Sequence, residues 1–149
     1  MSFQDELNTK LKGAMRKKNT VALESLRAIK SAILLLQTQS GAKETPDESE
    51  ITKLLQKLVK QRKESASIFW EQGRDDLAEL EEAQIEVISQ FLPEQLSSSA
   101  VEKIIDEVIE KVGATTMKDM GKVMGMANKQ LAGQADGKLI AEIVKKRLG

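Results

Sequence analysis

Apolar residues recur every three or four positions along almost the whole chain, as they do on one face of an α-helix. No segment alternates apolar and polar residues convincingly in the way that a half-buried strand does. The pattern therefore predicts an all-α protein. We expect seven helices, at about residues 2–17, 19–39, 46–72, 75–90, 97–112, 116–131 and 137–148.

Capping residues and glycines mark where these helices begin and end. Ser2, with Asp5 three residues on, predicts a capping box at the start of the first helix. Thr45 and Pro46 precede a group of acidic residues, which predicts a helix with Thr45 as its N-cap and Pro46 as its first residue. Gly73 and Gly113 each follow a helical segment, at the position where glycine commonly ends a helix.

The segment Phe91–Ser99 predicts a domain boundary, because a proline, a polar run and a new N-cap coincide there. We expect a four-helix N-terminal subdomain at residues 1–93. A small three-helix C-terminal subdomain is expected at residues 94–149.

Arg62 lies in the middle of the apolar face of the third helix. An arginine on such a face is expected to find a carboxylate or to direct its side chain outward. One interpretation is an ion pair with an acid of the fourth helix or of the turn before it. The acids in question are Glu82, Glu86, Asp75 and Asp76. The other interpretation is a phosphate-binding patch shared with Lys60.

The run Ile33–Leu36 is apolar in every direction around the second helix. A helix that is apolar all round is either buried on all sides or contacts a partner. The run is therefore a candidate for a protein interface.

Two glycines, Gly121 and Gly125, lie one turn apart inside the sixth helix. Each costs roughly 1 kcal/mol relative to alanine, so the pair needs a structural or functional reason. A helical wheel places them beside the apolar face, with Lys118, Lys122 and Lys129 on the next strip around. The predicted apolar face consists of Met120, Val123, Met124, Ala127 and Leu131. Either another helix approaches closely over the glycines, or the backbone or phosphate of a ligand lies there while the lysines neutralise it.

Composition narrows the chemistry that the chain can perform. Cysteine and histidine are absent, which excludes disulfides, thiolate or imidazole zinc sites and Cys or His nucleophiles. We expect no metal, no cofactor and no catalytic residues, and the serines at 97–99 are interpreted as helix caps. The net charge is +0, and neither a signal peptide nor a membrane span is expected, so the predicted location is cytoplasmic.

Several short motifs together resemble a known family. They are Lys60–Arg62, Gly73–Leu77, Phe91–Leu96, Gly113, Asp119–Gly125 and Ala135–Gly137. In this combination the chain resembles the YqeY family, small bacterial proteins similar to the C-terminal tail of the B subunit (GatB) of the tRNA-dependent glutamyl/aspartyl-tRNA amidotransferase. The resemblance implies an all-helical fold with two subdomains and a role in holding tRNA. A carbon–nitrogen ligase activity with glutamine as amido-N-donor is also attached to the family, but no catalytic constellation is visible in the sequence.

The favoured hypothesis is a non-catalytic accessory module whose partner is tRNA or a tRNA-linked enzyme complex. One alternative is a protein–protein adaptor that docks through Ile33–Leu36 or the Met117–Met126 face, and another is the ligase activity. The candidate nucleic-acid-binding residues are Lys118, Gly121, Lys122, Gly125, Lys129, Lys138, Lys60 and Arg62.

Overall fold

The computed structural model describes residues 2–39 and 46–149, and within them it confirms the all-α prediction. Seven α-helices and one short 3-10 helix account for the regular structure of these residues. In chain order they are α1 (Phe3–Lys17), α2 (Thr20–Gln39), α3 (Glu48–Glu71), α4 (Asp75–Ser89), α5 (Ser98–Val112), the 3-10 helix (Met117–Asp119), α6 (Met120–Gln130) and α7 (Gly137–Leu148).

Local capping chemistry explains most of the helix ends. The Ser2 hydroxyl accepts a hydrogen bond from the Asp5 amide, and the Asp5 carboxylate accepts one from the Ser2 amide, so α1 begins with the predicted capping box. Gly113 ends α5 with a φ of 68°, a conformation that glycine adopts without the steric penalty of a Cβ atom. Gly73 follows α3 with a φ of 71°, as predicted.

The predicted start of the third helix is wrong by two residues. The N-cap of α3 is Asp47, whose carboxylate accepts a hydrogen bond from the Glu50 amide at 2.8 Å. Pro46 therefore precedes the cap and is not the first helical residue, while Thr45 lies outside the described residues. Aspartate caps a helix as well as threonine does, and here it lies closer to the acidic first turn.

The chain divides into two compact units, Met1–Leu92 and Pro93–Gly149, each with its own core. Helices α1 to α4 build the first unit. Its buried core residues are Leu7, Ala14, Leu26, Ile29, Ile33, Ile51, Leu55, Val59 and Ile88. Helical spacing predicts Met15 on the apolar stripe of α1, but Met15 is 54% exposed, because α1 ends two residues later and packs through Ala14 instead.

The second unit packs α5, α6 and α7 around a smaller core. Its buried members are Val101, Ile105, Val108, Val123, Ala127, Leu131, Ala135, Ile140, Ile143, Val144 and Leu148. On its surface, the Arg147 guanidinium on α7 donates a hydrogen bond to Asp106 at 2.8 Å and lies 3.8 Å from Glu102, both on α5. In the described part of the chain, none of the helices is both long and apolar enough to cross a membrane.

Candidate functional site

The candidate site is the outer surface of α6 and of the 3-10 helix before it. We call it the glycine–lysine strip and define it by Lys118, Gly121, Lys122, Gly125 and Lys129. All five residues are exposed. Because they follow helical spacing, with Lys118 on the 3-10 helix and the others on α6, they form one continuous surface.

The opposite side of α6 explains why this strip faces outward. Val123 and Ala127 are completely buried in the core of the second unit, and Met120 and Met124 pack against it as half-buried residues. This apolar face is the one predicted, and it fixes the rotation of the helix about its axis. The glycines lie at the edge of this face and the lysines lie beyond it.

A capping box fixes the start of the strip. The Asp119 carboxylate accepts hydrogen bonds from the amides of Thr115 at 3.0 Å and Thr116 at 3.4 Å, while the Thr116 hydroxyl accepts one from the Lys118 amide. The two amides, and then the nearby Lys122 ammonium, lower the pKa of Asp119 below its usual value. The charged carboxylate therefore holds the backbone that carries Lys118.

Both glycines of α6 are uncovered. A Cβ atom added at Gly121 or at Gly125 would meet no heavy atom within 4 Å among the described residues, apart from the immediate chain neighbours and the helix's own backbone. The expectation that another helix approaches closely over them is therefore wrong for this part of the structure. The helix backbone is therefore open at these two positions.

Two residues that could have joined the strip occupy different elements. Helical spacing predicts Ala132 beside the glycines, but α6 ends at Gln130 and Ala132 lies in the turn that follows. Lys138, a candidate binding residue, is exposed in the first turn of α7, where its amide donates to the Asp136 cap. Lys138 thus belongs to the second unit but not to the strip.

The remaining two candidates, Lys60 and Arg62, lie on α3 of the first unit. Lys60 is exposed and Arg62 is half-buried. The Arg62 guanidinium donates to the Gln84 side chain at 3.0 Å and to the Leu58 carbonyl at 3.1 Å, and Gln84 in turn donates to Glu24 at 3.4 Å. The acids expected to pair with Arg62 are therefore not its hydrogen-bond partners, because a neutral glutamine on α4 and a main-chain carbonyl take that place.

The apolar run Ile33–Leu36 is neither buried all round nor fully exposed. Ile33 lies in the core, whereas Leu34 and Leu35 are 56% and 58% exposed. Sequence reasoning missed the two lysines that accompany this run on the neighbouring helix, Lys53 and Lys57, which lie beside Leu54 and Leu58 in the sequence. The i, i+4 spacing of these two lysines, each next to a leucine, is a sequence pattern that indicates this basic and apolar surface.

The described residues contain no group of three or more His, Cys, Asp or Glu side chains placed to hold a metal ion. They also leave no buried side-chain nitrogen or oxygen without a hydrogen-bond partner. The buried polar side chains in this part of the chain are therefore satisfied within the protein.

Similarity to known proteins covers nearly the whole chain. The family model described as Yqey-like protein matches residues 4–148. A relative from Clavispora lusitaniae, "Altered inheritance of mitochondria protein 41, mitochondrial", is 34% identical over 125 residues, which are 84% of this chain and 71% of that protein. The protein of the same name from Pyrenophora tritici-repentis is 29% identical over 146 residues, 96% of this chain and 79% of its own length.

A second group of relatives is similar over a shorter stretch. One of them, from Thermococcus gammatolerans, is named as a subunit of glutamyl-tRNA(Gln) amidotransferase and is 46% identical over 57 residues, which are 36% of this chain. The matched stretch is only 9% of that much longer protein. The similarity therefore concerns one small part of the amidotransferase protein.

Proposed function

The chain belongs to the Yqey-like protein family, and from that premise we propose that it is a non-catalytic accessory module that binds tRNA through the glycine–lysine strip. The strip would contact the sugar–phosphate backbone of the RNA. The observation that carries this proposal is the pair of open glycines, Gly121 and Gly125, next to three exposed lysines.

The open glycines support a ligand because nothing within the described residues accounts for them. Glycine in a helix interior is roughly 1 kcal/mol less favourable than alanine. Neither Gly121 nor Gly125 lies against a neighbouring side chain or adopts a positive φ, the two common structural reasons for glycine. A surface without side chains does allow a polymer backbone to approach the helix closely.

The charges along the strip support an anionic ligand. Lys118 and Lys122 lie at the N-terminal end of α6, where the helix dipole is also positive, so their placement is unfavourable without an anion nearby. Asp119 offsets part of this charge but is held by the Thr115 and Thr116 amides. Phosphate oxygens are the ligands that exposed ammonium groups and helix N-termini share.

Two further points support RNA and specifically tRNA. The chain contains few aromatic residues, 3% of its composition, so recognition by base stacking is disfavoured and recognition by shape and phosphate contact is favoured. The amidotransferase relatives carry glutamyl-tRNA in their name, which makes tRNA the first RNA to test. A cytoplasmic location stays a prediction, while the names of the fungal relatives place those proteins in mitochondria.

The test replaces all three lysines of the strip, Lys118→Glu, Lys122→Glu and Lys129→Glu, in one variant. Binding of a fluorescein-labelled tRNA transcript is measured by fluorescence anisotropy at about 0.1 M salt, where loss of three phosphate contacts weakens binding roughly 100-fold. The substituted side chains are exposed, so the fold is expected to persist, and circular dichroism checks this.

A matched control carries the same charge change elsewhere on the second unit. Lys103, Lys111 and Lys146 are exposed on α5 and α7, and their joint replacement by glutamate alters the net charge equally. The control is expected to retain most of the affinity. Equal losses in the two folded variants would show a dependence on net charge alone and would contradict the assignment to the strip.

A further inference from the structure

A groove with an apolar floor runs between α2 and α3 on the first unit. We call it the leucine groove and define it by Leu35 and Leu36 on α2 and Leu54 and Leu58 on α3. Its volume is about 420 Å³. Leu35 is 58% exposed, although α2 packs against α1, α3 and α4. Leu36, Leu54 and Leu58 beside it are half-buried. A cluster of partly exposed apolar side chains is typical of an interaction surface.

The rim of the leucine groove is basic. Lys53 and Lys57, one helical turn apart on α3, line it, and Glu50 is the one acid among the described residues that line it. Both lysines are exposed, and within the described residues neither lies in an ion pair. The sequence of the first unit is almost balanced in charge, with 15 acidic and 14 basic residues, whereas the described rim carries two lysines and one glutamate. The rim is therefore locally positive, which favours an acidic partner.

The length and shape of the groove favour a helix as occupant. Its residues on α3 extend from Glu50 to Gln61, a distance of about 16 Å at 1.5 Å per residue. That length accommodates about three turns of a partner helix lying between two helices. We propose that the leucine groove docks an amphipathic helix of another protein, whose apolar stripe contacts the leucines and whose flanking carboxylates contact Lys53 and Lys57.

Other occupants from this chain fit less well. The segment that joins α2 to α3, residues 40–45, contains a single apolar side chain, Ala42, and four leucines need a larger apolar stripe than that. The acidic helix of a second copy would be α4, but along α4 the only large exposed apolar residue is Leu80. The partner is therefore a separate acidic, amphipathic helix. This inference concerns the first unit and does not depend on the proposed binding of tRNA by the second.

The test uses two synthetic helical peptides of about 14 residues, long enough to exceed the groove. One carries leucines along one stripe with glutamates on both flanks, and the other carries lysines in place of every glutamate. Binding of each labelled peptide to the full chain is measured by fluorescence anisotropy. The glutamate peptide is expected to bind at least about tenfold more tightly than the lysine peptide, since the rim charges attract one and repel the other.

Adjacent leucines of α2 provide a matched pair of variants. Leu34 and Leu35 are almost equally exposed, at 56% and 58%, but only Leu35 lines the groove. Leu35→Glu is expected to weaken binding of the glutamate peptide about tenfold or more, while Leu34→Glu leaves it within about twofold. Because both side chains face outward, both variants are expected to fold, and circular dichroism verifies it.

The rim is tested by a charge reversal at Lys53 and Lys57. The double variant Lys53→Glu, Lys57→Glu is expected to reverse the preference, so that the lysine peptide becomes the tighter ligand. The control double variant Lys12→Glu, Lys63→Glu changes the same net charge at exposed positions outside the groove and is expected to keep the original preference.

Three results would overturn the proposal. The first is equal affinity for both peptides, or no binding of either. The second is an equal loss in the Leu34→Glu and Leu35→Glu variants, which places the peptide elsewhere. The third is self-association of the wild-type chain in analytical ultracentrifugation that Leu35→Glu abolishes, which assigns the groove to a second copy.

Discussion

The glycine–lysine strip of α6 and the leucine groove between α2 and α3 both place lysines beside an unfavourable surface. On the strip, the unfavourable feature is exposed helix backbone at Gly121 and Gly125. In the groove, it is exposed leucine side chain, above all at Leu35. Both regions carry exposed lysines. The surface beside the lysines, which is helix backbone in the strip and leucine side chain in the groove, therefore determines which ligand each region can bind.

Exposed backbone and exposed leucine favour different ligands. A bare helix backbone offers little apolar area to bury, so affinity there is expected to come mainly from charge, and phosphates supply the opposite charge. Four leucines offer apolar area whose burial is favourable whatever the ionic strength, with the lysines adding selectivity for an acidic partner. Lysine charges are therefore expected to supply most of the affinity at the glycine–lysine strip, whereas in the leucine groove they mainly add selectivity.

The largest expected effect that separates the two regions is their response to salt. Raising salt from about 50 to about 200 mM is expected to weaken tRNA binding roughly 20- to 40-fold, if three phosphate contacts each release counterions. Over the same range, binding of the glutamate peptide in the leucine groove is expected to change by about threefold or less, because two exposed ion pairs contribute little. Anisotropy titrations at four salt concentrations measure both slopes.

Equal slopes would break the comparison. If the peptide responds to salt as steeply as tRNA does, the leucines contribute little, and the groove is an electrostatic surface like the strip. If tRNA binding is insensitive to salt, the strip does not bind through its lysines. The Leu35→Glu variant serves as a control, since tRNA binding by the strip is expected to be unchanged in it.

The second-largest expected effect comes from replacing the two glycines of α6, which is expected to raise the free energy of unfolding and to lower the affinity for tRNA. In the double variant Gly121→Ala, Gly125→Ala, each substitution is expected to stabilise the chain by up to about 1 kcal/mol, because alanine is the better helix former. The new methyl groups meet open space within the protein. They stand where the RNA backbone would approach, so the affinity for tRNA is expected to fall about tenfold. Urea unfolding and anisotropy measure the two quantities.

Gly13 provides the matched control for this prediction. It lies inside α1, and an added Cβ atom there also meets nothing within 4 Å. Gly13→Ala is expected to stabilise the chain similarly and to leave tRNA binding unchanged. A double variant at 121 and 125 that gains stability and still binds tRNA like wild type would show that the glycines are not at the RNA contact.

The features that the sequence predicted well have local causes. The capping box of Ser2 and Asp5 and the left-handed glycine at 113 are determined by residues within a few positions of one another. The rotation of α6 about its axis could be predicted equally well, since its apolar face follows from helical spacing alone. These are the interactions in which neighbours in sequence are also neighbours in space.

The features that the sequence did not predict depend on residues far apart in the chain. Arg62 donates a hydrogen bond to Gln84, which lies 22 residues away in the sequence. Because Gln84 is neutral, considering only acidic partners for Arg62 could not identify it. Whether another helix covers Gly121 depends on how α5, α6 and α7 pack against one another. A helical wheel of α6 shows only which residues share a face of that helix, so it cannot predict this packing. The exposure of Leu34 and Leu35 likewise depends on how three other helices surround α2.

The smallest expected effect is the pH dependence of the capping box that begins the strip. The pKa of Asp119 is lowered by the Thr115 and Thr116 amides, so its charged form is favoured in the folded chain. A lowered pKa contributes stability that is present above the unfolded value, near 3.8, and is lost as the pH falls through the folded value below it. No such box starts α3, where Asp47 caps the helix by a single described bond to the Glu50 amide.

NMR measures this effect directly at the amide of Thr115, whose hydrogen bond to Asp119 is 3.0 Å long. Its chemical shift is expected to titrate with a midpoint below 3.8 in the wild-type chain, and this step is expected to vanish in Asp119→Asn, which keeps an acceptor but has no charge to lose. The stability difference between the two proteins is expected to be constant above about pH 5 and to shrink below pH 3.8. A midpoint above 3.8 would mean that the carboxylate is not held by these amides in solution, and the backbone that carries Lys118 would then lack the support that the strip requires.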